Sequence, residues 1–589
     1  MTDGKTSGSV LTALYSALPG RRKREGARTF LLMLVGALAE VASVGSVLPL
    51  LGALTSPKAL MANPFAARLI SMLPPGTNLV AATAAAFMAI VVVSGLIRLL
   101  LTWFSQSLAF NISHDLSVTA FGKIIRQDYP YYAQHHSGRA ISQFEKLQFL
   151  AFALLLTGIQ TIISSVFAVV LILLLVAVNP EVALISASLL VGAYVIISLV
   201  VKPILGRNSR IGSSYSDQRI KYVQEALGGI RDILLDHSQP VFEADFAESA
   251  DRFRVSNISR AFISQSPRIL IEMLGLVMIA AYAWHSAGRP GGIAAAIPML
   301  GALALGAQRL LPLLQQTYTG WSSFTGYHQS LLDVVELLSL EDCTSPPTAA
   351  GAIVFRASLR FDHVGFSYPT GGEVLHDINF SIRVGERIGI TGTTGSGKST
   401  LMDLMLGLLE PQQGTILIDG RPLNRDLRAA WQGQIAHVPQ AIYLTDDTLS
   451  ANIAFGVPPA RVDLAQVEQA ARAAGISEFI AGLQDGYDTR TGERGIRLSG
   501  GQRQRIGIAR ALYKKAKVLI FDEATSALDN NTEEAVMRSI RALDKEITII
   551  MIAHRLTTLT DCDRIIHLEQ GRIERIVGST DTGSASALS

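Results

Sequence analysis

Long runs of apolar residues fill the first part of the chain, whereas short β-type runs alternate with amphipathic helical patterns in the rest. The switch falls near residue 325. A membrane-spanning helix needs roughly 20 largely apolar residues. Six stretches meet that requirement: Thr29–Leu54, Leu79–Phe104, Phe149–Val178, Val182–Leu205, Pro267–Ala287 and Gly292–Tyr318. Any one of them would pass for a buried core helix, but six in succession present more apolar surface than a water-soluble domain can hide. The first is too long for a secretory signal peptide, carries Glu40 and lacks a convincing cleavage site.

Composition sharpens this reading. Hydrophobic residues make up 49% of the 589 and charged residues 17%, below the roughly 25% usual in soluble domains. The mean hydropathy is +0.34. A net charge of +3 gives no argument for a nucleic-acid partner. Two cysteines, Cys343 and Cys562, exclude a disulfide framework, and the 11 histidines show no metal-ligand spacing.

The Lys/Arg distribution orients the spans. Arg21, Arg22, Lys23, Arg24 and Arg28 precede the first; Lys123, Arg126, Arg139 and Lys146 lie between the second and third; Arg207, Arg210, Arg219, Lys221 and Arg231 lie between the fourth and fifth. The opposite loops hold only Lys58, Arg68 and Arg289. The N-terminal segment 1–28 is therefore expected in the cytoplasm. With an even number of spans, the C-terminal half returns there too. The expected order is a transmembrane domain over 29–340, a linker over 341–352 with Pro346 and Pro347, an α/β domain over 353–577, and a disordered Ser/Thr-rich tail over 578–589.

The α/β domain carries the chemistry. RIGITGTTGSGKST at Arg387–Thr400 runs from an apolar strand through glycines into a helix, the setting a P-loop requires. Gly392, Thr393, Thr394, Gly395, Ser396, Gly397 and Thr400 are expected to surround phosphate oxygens, with the helix N-terminus adding positive partial charge. Lys398 should contact the β- and γ-phosphates of ATP, and Ser399 should ligate Mg²⁺. A second strand, KVLIFDE at Lys517–Glu523, ends in two carboxylates. Asp522 is placed to hold Mg²⁺ and Glu523 to act as general base toward the attacking water. Between them lies LSGGQ at Leu498–Gln502, where Ser499, Gly500, Gly501 and Gln502 open an amphipathic helix and form a second anion site.

One phosphate chain has no use for two such sites in one domain. Here the residues resemble the ATP-binding-cassette family, in which the LSGGQ of one subunit covers ATP held by the P-loop of the other. The resemblance implies that Tyr368 stacks on adenine, that Gln440 links the γ-phosphate and Mg²⁺ to the membrane domain, that Thr491–Gly495 touches cytoplasmic loops, that Asp529 lies in a dimer-contact loop, and that His554 senses the γ-phosphate. Six spans followed by one cassette resemble an exporter-type half-transporter: an all-α six-helix transmembrane domain, then an α/β P-loop nucleotide-binding domain. Coupling helices are expected near Tyr129–Ser137 and Gly228–His237. With every catalytic position filled, the partner is expected to be an identical chain.

Within the superfamily the chain is most similar to bacterial lipid-linked oligosaccharide flippases, which implies an inner-membrane location and an amphipathic substrate. The resemblance rests on EVASVGSVLPLL (Glu40–Leu51), GGIRDILL (Gly228–Leu235), PRILIE (Pro267–Glu272), RLLP (Arg309–Pro312) and IYLTDDTLSANIAFG (Ile442–Gly456). Export of a peptide, drug or other lipid is the alternative, and a nucleotide-gated channel or receptor a more distant one. Intramembrane charges are functional candidates. Counting along antiparallel helices puts Glu272 and Arg309 roughly 28 Å below the outer turn, with Arg98 at a similar depth. Arg98 and Arg309 are expected to line a substrate cavity and attract an anionic head group, with Glu272 positioning an arginine. The alternative is that the arginines snorkel or pair structurally with Glu272.

Overall fold

The computed structural model describes residues 15–16, 18–46, 50, 78–135, 137–178, 180–287, 292–343, 354–368, 371–523, 530–553 and 559–578. Lys58, Arg68, Arg289, Pro346, Pro347 and the tail from 579 onward lie outside them. The chain divides into two units, Met1–Gln127 with Tyr132–Asp342, and Asp128–Tyr131 with Cys343–Ser589.

The first unit is helical. Its elements are α1 (Gly20–Gly45), α2 (Leu79–Ile125), α3 (Tyr129–Gln134), α4 (Ser137–Leu150), a π-helical turn (Ala151–Leu156), α5 (Thr157–Val178), α6 (Pro180–Gly228), α7 (Ile230–Leu235), α8 (Gln239–Ala287), α9 (Gly292–Gly326) and α10 (His328–Leu338). Four described stretches are long and apolar enough to cross a membrane: Gly20–Ser43, Leu79–Ile125, Gly138–Leu173 and Ala187–Gly228. The fifth and sixth expected spans are helical in α8 and α9, and the side chains of 292–307 lie outside the described set.

These helices outrun a bilayer. The 47 residues of α2 extend about 70 Å at 1.5 Å each, against a hydrocarbon core of about 30 Å. Toward its N-terminal half α2 turns Leu96, Leu99 and Trp103 outward, as a lipid-facing helix does. Beyond Phe104 polar residues mix with exposed Phe110, Val118 and Phe121, while Leu108, Ile112, Leu116, Ala120 and Ile124 recur every four residues and are buried. This stripe packs on Leu147 and Leu150 of α4 and on Leu331, Val334 and Leu337 of α10. A buried charge adds to that bundle: Lys146 Nζ reaches Asp217 (2.6 Å) and Asp333 (2.7 Å) and donates to Ser213 Oγ (2.8 Å). The short helices α3 and α7 fall inside the two segments expected to carry coupling helices.

The second unit is α/β. An antiparallel sheet has the order β2-β1-β4-β5, and a larger, mainly parallel sheet the order β10-β9-β3-β8-β7-β6. The strands are β1 (Ser358–Ser367), β2 (Glu373–Arg383), β3 (Arg387–Gly392), β4 (Gln413–Ile418), β5 (Arg421–Pro422), β6 (Ile435–Val438), β7 (Val518–Asp522), β8 (Thr548–Ile552), β9 (Arg564–Glu569) and β10 (Arg572–Gly578). The helices are α11 (Lys398–Met405), α12 (Arg425–Gln434), α13 (Leu449–Ile453), α14 (Leu464–Ala473), α15 (Ser477–Ala481), α16 (Gly500–Tyr513) and α17 (Asn530–Arg541).

The parallel strands are buried on both faces, which is why they read as unbroken apolar runs. Their side chains alternate between two cores. Val518 and Ile520 of β7, with Ile550 and Ile552 of β8, join α11 and the antiparallel sheet. Leu519 and Phe521, with Ile549 and Met551, join α13, α14 and α16. Trp431 of α12 is fully buried in the first core, and its indole N–H donates to the Met405 carbonyl at the end of α11 (2.7 Å).

Candidate functional site

In a parallel sheet, ligands bind beyond the carboxyl ends of the strands. β3 and β7 both end at that edge, with β8 paired between them. β3 runs straight into the loop that holds Lys398. Gly392, Gly395 and Gly397 all have positive φ, at 154°, 82° and 101°, backbone that side-chain-bearing residues enter only with strain. A Cβ on Gly392 would stand 2.1 Å from the Leu568 carbonyl oxygen, and one on Gly397 2.7 Å from Leu375 Cδ2. The loop is thus held close to β9 and β2, and glycine is required twice for space as well as for torsion.

Lys398 opens α11 and is buried, its Nζ donating to the carbonyls of Gly392 and Thr393, each at 2.9 Å. Burial pulls its ammonium below the usual lysine range, while Glu523 and Asp522 act to raise it. A buried cation whose partners in the loop are carbonyls is ready for anionic oxygens. Ser396 Oγ is buried and has no hydrogen-bond partner among the described residues, a polar atom suited to a phosphate oxygen. Thr393, Thr394 and Ser399 are exposed, and Thr400 is buried. The Tyr368 hydroxyl lies 3.3 Å from Thr400 Oγ1, and its ring meets Phe366 edge-on. That places the aromatic residue beside the P-loop helix.

β7 delivers the two carboxylates. Asp522 is the last ladder residue, paired opposite Ile552. Glu523 follows with φ 46°, in the left-handed region that is costly for a side-chain-bearing residue. Its N–H donates to the Ile552 carbonyl (2.9 Å), and Gln440 Nε2 donates to its Oε2 (2.8 Å). Gln440, Asp522, Glu523 and the P-loop therefore converge on one edge of the sheet. The hydroxyl of Ser399, the amide oxygen of Gln440 and the carboxylate of Asp522 are an all-oxygen donor set, the chemistry that suits Mg²⁺.

Ser499 is the N-cap of α16. Its Oγ accepts from the Gln502 N–H (3.3 Å), while Gln502 Oε1 accepts from the Ser499 N–H (2.8 Å). This reciprocal cap leaves the serine hydroxyl hydrogen uncommitted in that pair. Ser499 and Gly500 are exposed. Helix α16 belongs to the core on the opposite face of the sheet from the P-loop helix. Thr491 is buried, donating to the Thr445 carbonyl (2.8 Å), whereas Glu493 and Arg494 are exposed. Asp529 and His554 lie outside the described residues.

In the membrane unit, Arg98 and Arg309 line one cavity of about 690 Å³, together with Gln106, Gln160, Gln308 and Gln316. The acid that reaches them is Glu40 of α1, not Glu272. Its carboxylate pairs with Arg98 of α2 and, at 3.3 Å, with Arg309 of α9. Glu272 does position an arginine, but it is Arg268, one turn back on α8 (2.7 Å), and Glu272 does not line this cavity. Counting along a helix gives position on its axis but not which way a side chain faces, so the Glu40 contacts could not be read from it.

A P-loop, a strand ending in paired carboxylates and a serine-capped glycine helix start, on a unit fused to helices long and apolar enough to span a bilayer, define an ATP-hydrolysing membrane transporter. The ABC transporter family model matches residues 375–526, and the model for the ABC transporter transmembrane region matches 30–289. The chain belongs to the ABC transporters, as an exporter with an ATPase cassette. It is 34% identical over 433 residues, 71% of each chain, to an ATP-dependent lipid A-core flippase of Cupriavidus metallidurans. It is 43% identical to an ATM1-type heavy metal exporter of Novosphingobium aromaticivorans over 249 residues, 42% of this chain and 41% of that one. Among solved structures, a bacterial Atm1-family ABC exporter with ATP bound superimposes with a TM-score of 0.73 at 26% identity, covering 96% of each chain.

Proposed function

We propose that two copies of this chain work together in the bacterial inner membrane, using ATP to flip an amphipathic lipid with an anionic head group, a lipid-linked oligosaccharide or related glycolipid. The observation that carries the substrate class is the cavity of Arg98 and Arg309. Both arginine side chains are about half exposed, at 46% and 51%, and four glutamines line the same cavity. Arginine forks match phosphate geometry. Relatives named ATP-dependent lipid A-core flippases support a lipid substrate. Heavy metal export, suggested by the other relative, finds less support: among the described residues, neither cysteine nor histidine lines the cavity.

In this reading Lys398 and the loop N–H groups bind the phosphates, and Ser399, Gln440 and Asp522 hold Mg²⁺. The ion neutralises phosphate charge. Glu523 takes the proton of the attacking water, and His554 senses the γ-phosphate. Ser499, Gly500, Gly501 and Gln502 of one copy cap the ATP held by the other, with Asp529 at the junction. The separation of P-loop and α16 onto opposite cores supports this sharing.

The test is reconstitution in proteoliposomes with a fluorescent polyprenyl-diphosphate glycan. ATP-dependent loss of accessible label is expected. Arg309→Gln should abolish both that movement and the stimulation of ATPase by substrate, while sparing basal ATPase. Equal loss of basal and stimulated ATPase would overturn the cavity role.

A further inference from the structure

Glu40 is an acid in a place built for anions, and that contradiction is informative. It stands on α1, while the arginines it meets stand on α2 and α9, so a single carboxylate joins three helices. Its side chain is only 10% exposed, whereas those of the two arginines, which also line the cavity, are about half exposed. Two guanidinium groups offer ten N–H donors between them, and one carboxylate can accept about four. Donors are therefore left over on two residues that line the cavity.

Charge makes the same point. Among the residues lining the cavity, Arg98 and Arg309 contribute +2 and Glu40 −1, a net +1. A neutral lipid has nothing with which to compete for the arginines. A monoanion balances the surplus and leaves the acid in place. A diphosphate carries more charge than the surplus and presents paired oxygens that match both forks. It can bind fully only by displacing the carboxylate.

We infer that Glu40 is a displaceable counter-ion, holding Arg98 and Arg309 until a multiply charged head group replaces it, so that the cavity selects substrate by charge. This rests on the proposed anion-binding role of the cavity. Substrate entry then also cuts the ionic tie between α1 and the other two helices. The apolar packing of Met33 and Ala37 against Leu101 and Phe167 keeps α1 attached. Glu40 is thus a positioning residue that sets specificity.

The experiment uses the full chain in lipid nanodiscs, with ATPase stimulation read against farnesyl diphosphate, farnesyl monophosphate and farnesol. In Glu40→Gln the arginines lose their internal competitor. The half-saturating concentration of farnesyl diphosphate should fall on the order of tenfold, consistent with loss of a charged hydrogen bond, with maximal ATPase within twofold of the parent. The monophosphate should become nearly as effective as the diphosphate, a change that altered packing alone would not produce. An unchanged or higher half-saturation in a variant that melts like the parent overturns the inference. If Glu40→Gln does not fold, Glu40→Asp, charged but shorter, decides in its place: tighter diphosphate binding supports the counter-ion, and no change refutes it. Arg309→Gln separates the two ideas. If it leaves half-saturation unchanged, the anion cavity itself is wrong. If it weakens binding while Glu40→Gln does not tighten it, only the counter-ion fails.

Discussion

Replacing Glu523 by glutamine tests the ATPase reading most directly. The structure holds this side chain from both ends: its N–H is tied to Ile552 at 2.9 Å and its Oε2 accepts from Gln440 at 2.8 Å. Glutamine has the same shape, and its carbonyl oxygen can accept the same bond from Gln440. The backbone at φ 46° is no more strained by glutamine than by glutamate. What disappears is the proton acceptor. General-base catalysis contributes typically 10²- to 10⁴-fold, or about 3–5 kcal/mol of barrier at 1.36 kcal/mol per tenfold. Binding should move the other way. Glu523 is one of two carboxylates acting on buried Lys398, and removing one lessens repulsion of the incoming phosphates. Steady-state phosphate release in nanodiscs, paired with equilibrium binding of a fluorescent ATP analogue, should show kcat down 10²- to 10⁴-fold with ATP affinity unchanged or tighter. A fall in kcat of less than tenfold, or a parallel loss of affinity, would refute the role given to Glu523.

Three further outcomes follow from the same geometry. Gly397→Ala forces a Cβ to within 2.7 Å of Leu375 at φ 101°; it should destabilise the cassette by roughly 1–3 kcal/mol and weaken ATP binding, and an unchanged melting temperature would count against it. Ser499→Ala removes the α16 cap at a cost of about 1 kcal/mol and should reduce hydrolysis far more than nucleotide binding; Ser499→Asn, which restores a cap acceptor, should recover melting temperature but not hydrolysis. Asp403 has its carboxyl pushed up to about 6 by burial, with the Asp522 charge adding to it. The folded state therefore holds that proton more tightly than the unfolded chain, and stability is lost as pH rises between the ordinary aspartate value and about 6. Asp403→Asn should melt higher than the parent at pH 7.5, and that advantage should shrink at pH 5; a constant difference would refute the burial argument.

What could be read from sequence depended on range. The P-loop is local: its glycines, lysine and flanking apolar strand lie within 14 residues, and each has a torsional or electrostatic reason to be there. Glu523 and Gln440 were legible as separate residues, but their hydrogen bond joins positions 83 apart. Helix extent was legible only where lipid demands apolar residues. The unbroken apolar run stops at Phe104, whereas α2 continues to Ile125 on an every-fourth-residue buried stripe amid mixed polar and apolar neighbours. Glu40 was hardest. Its partner Arg309 is 269 residues away, and a depth count measures position along the helix axis without rotation about it. Glu272 pairs with Arg268 on its own helix.

The alternation along β7 has a mechanical corollary. Neighbouring side chains of that strand are gripped by opposite cores, so the strand behaves as a party wall between two rooms. A tilt of either room shifts the wall, and the Asp522–Glu523 tip moves with it, although the loop at the end of β3 answers mainly to one side. With the roles proposed above, a packing change in the lobe that bears the Ser499 cap is expected to reach the two carboxylates more directly than the P-loop.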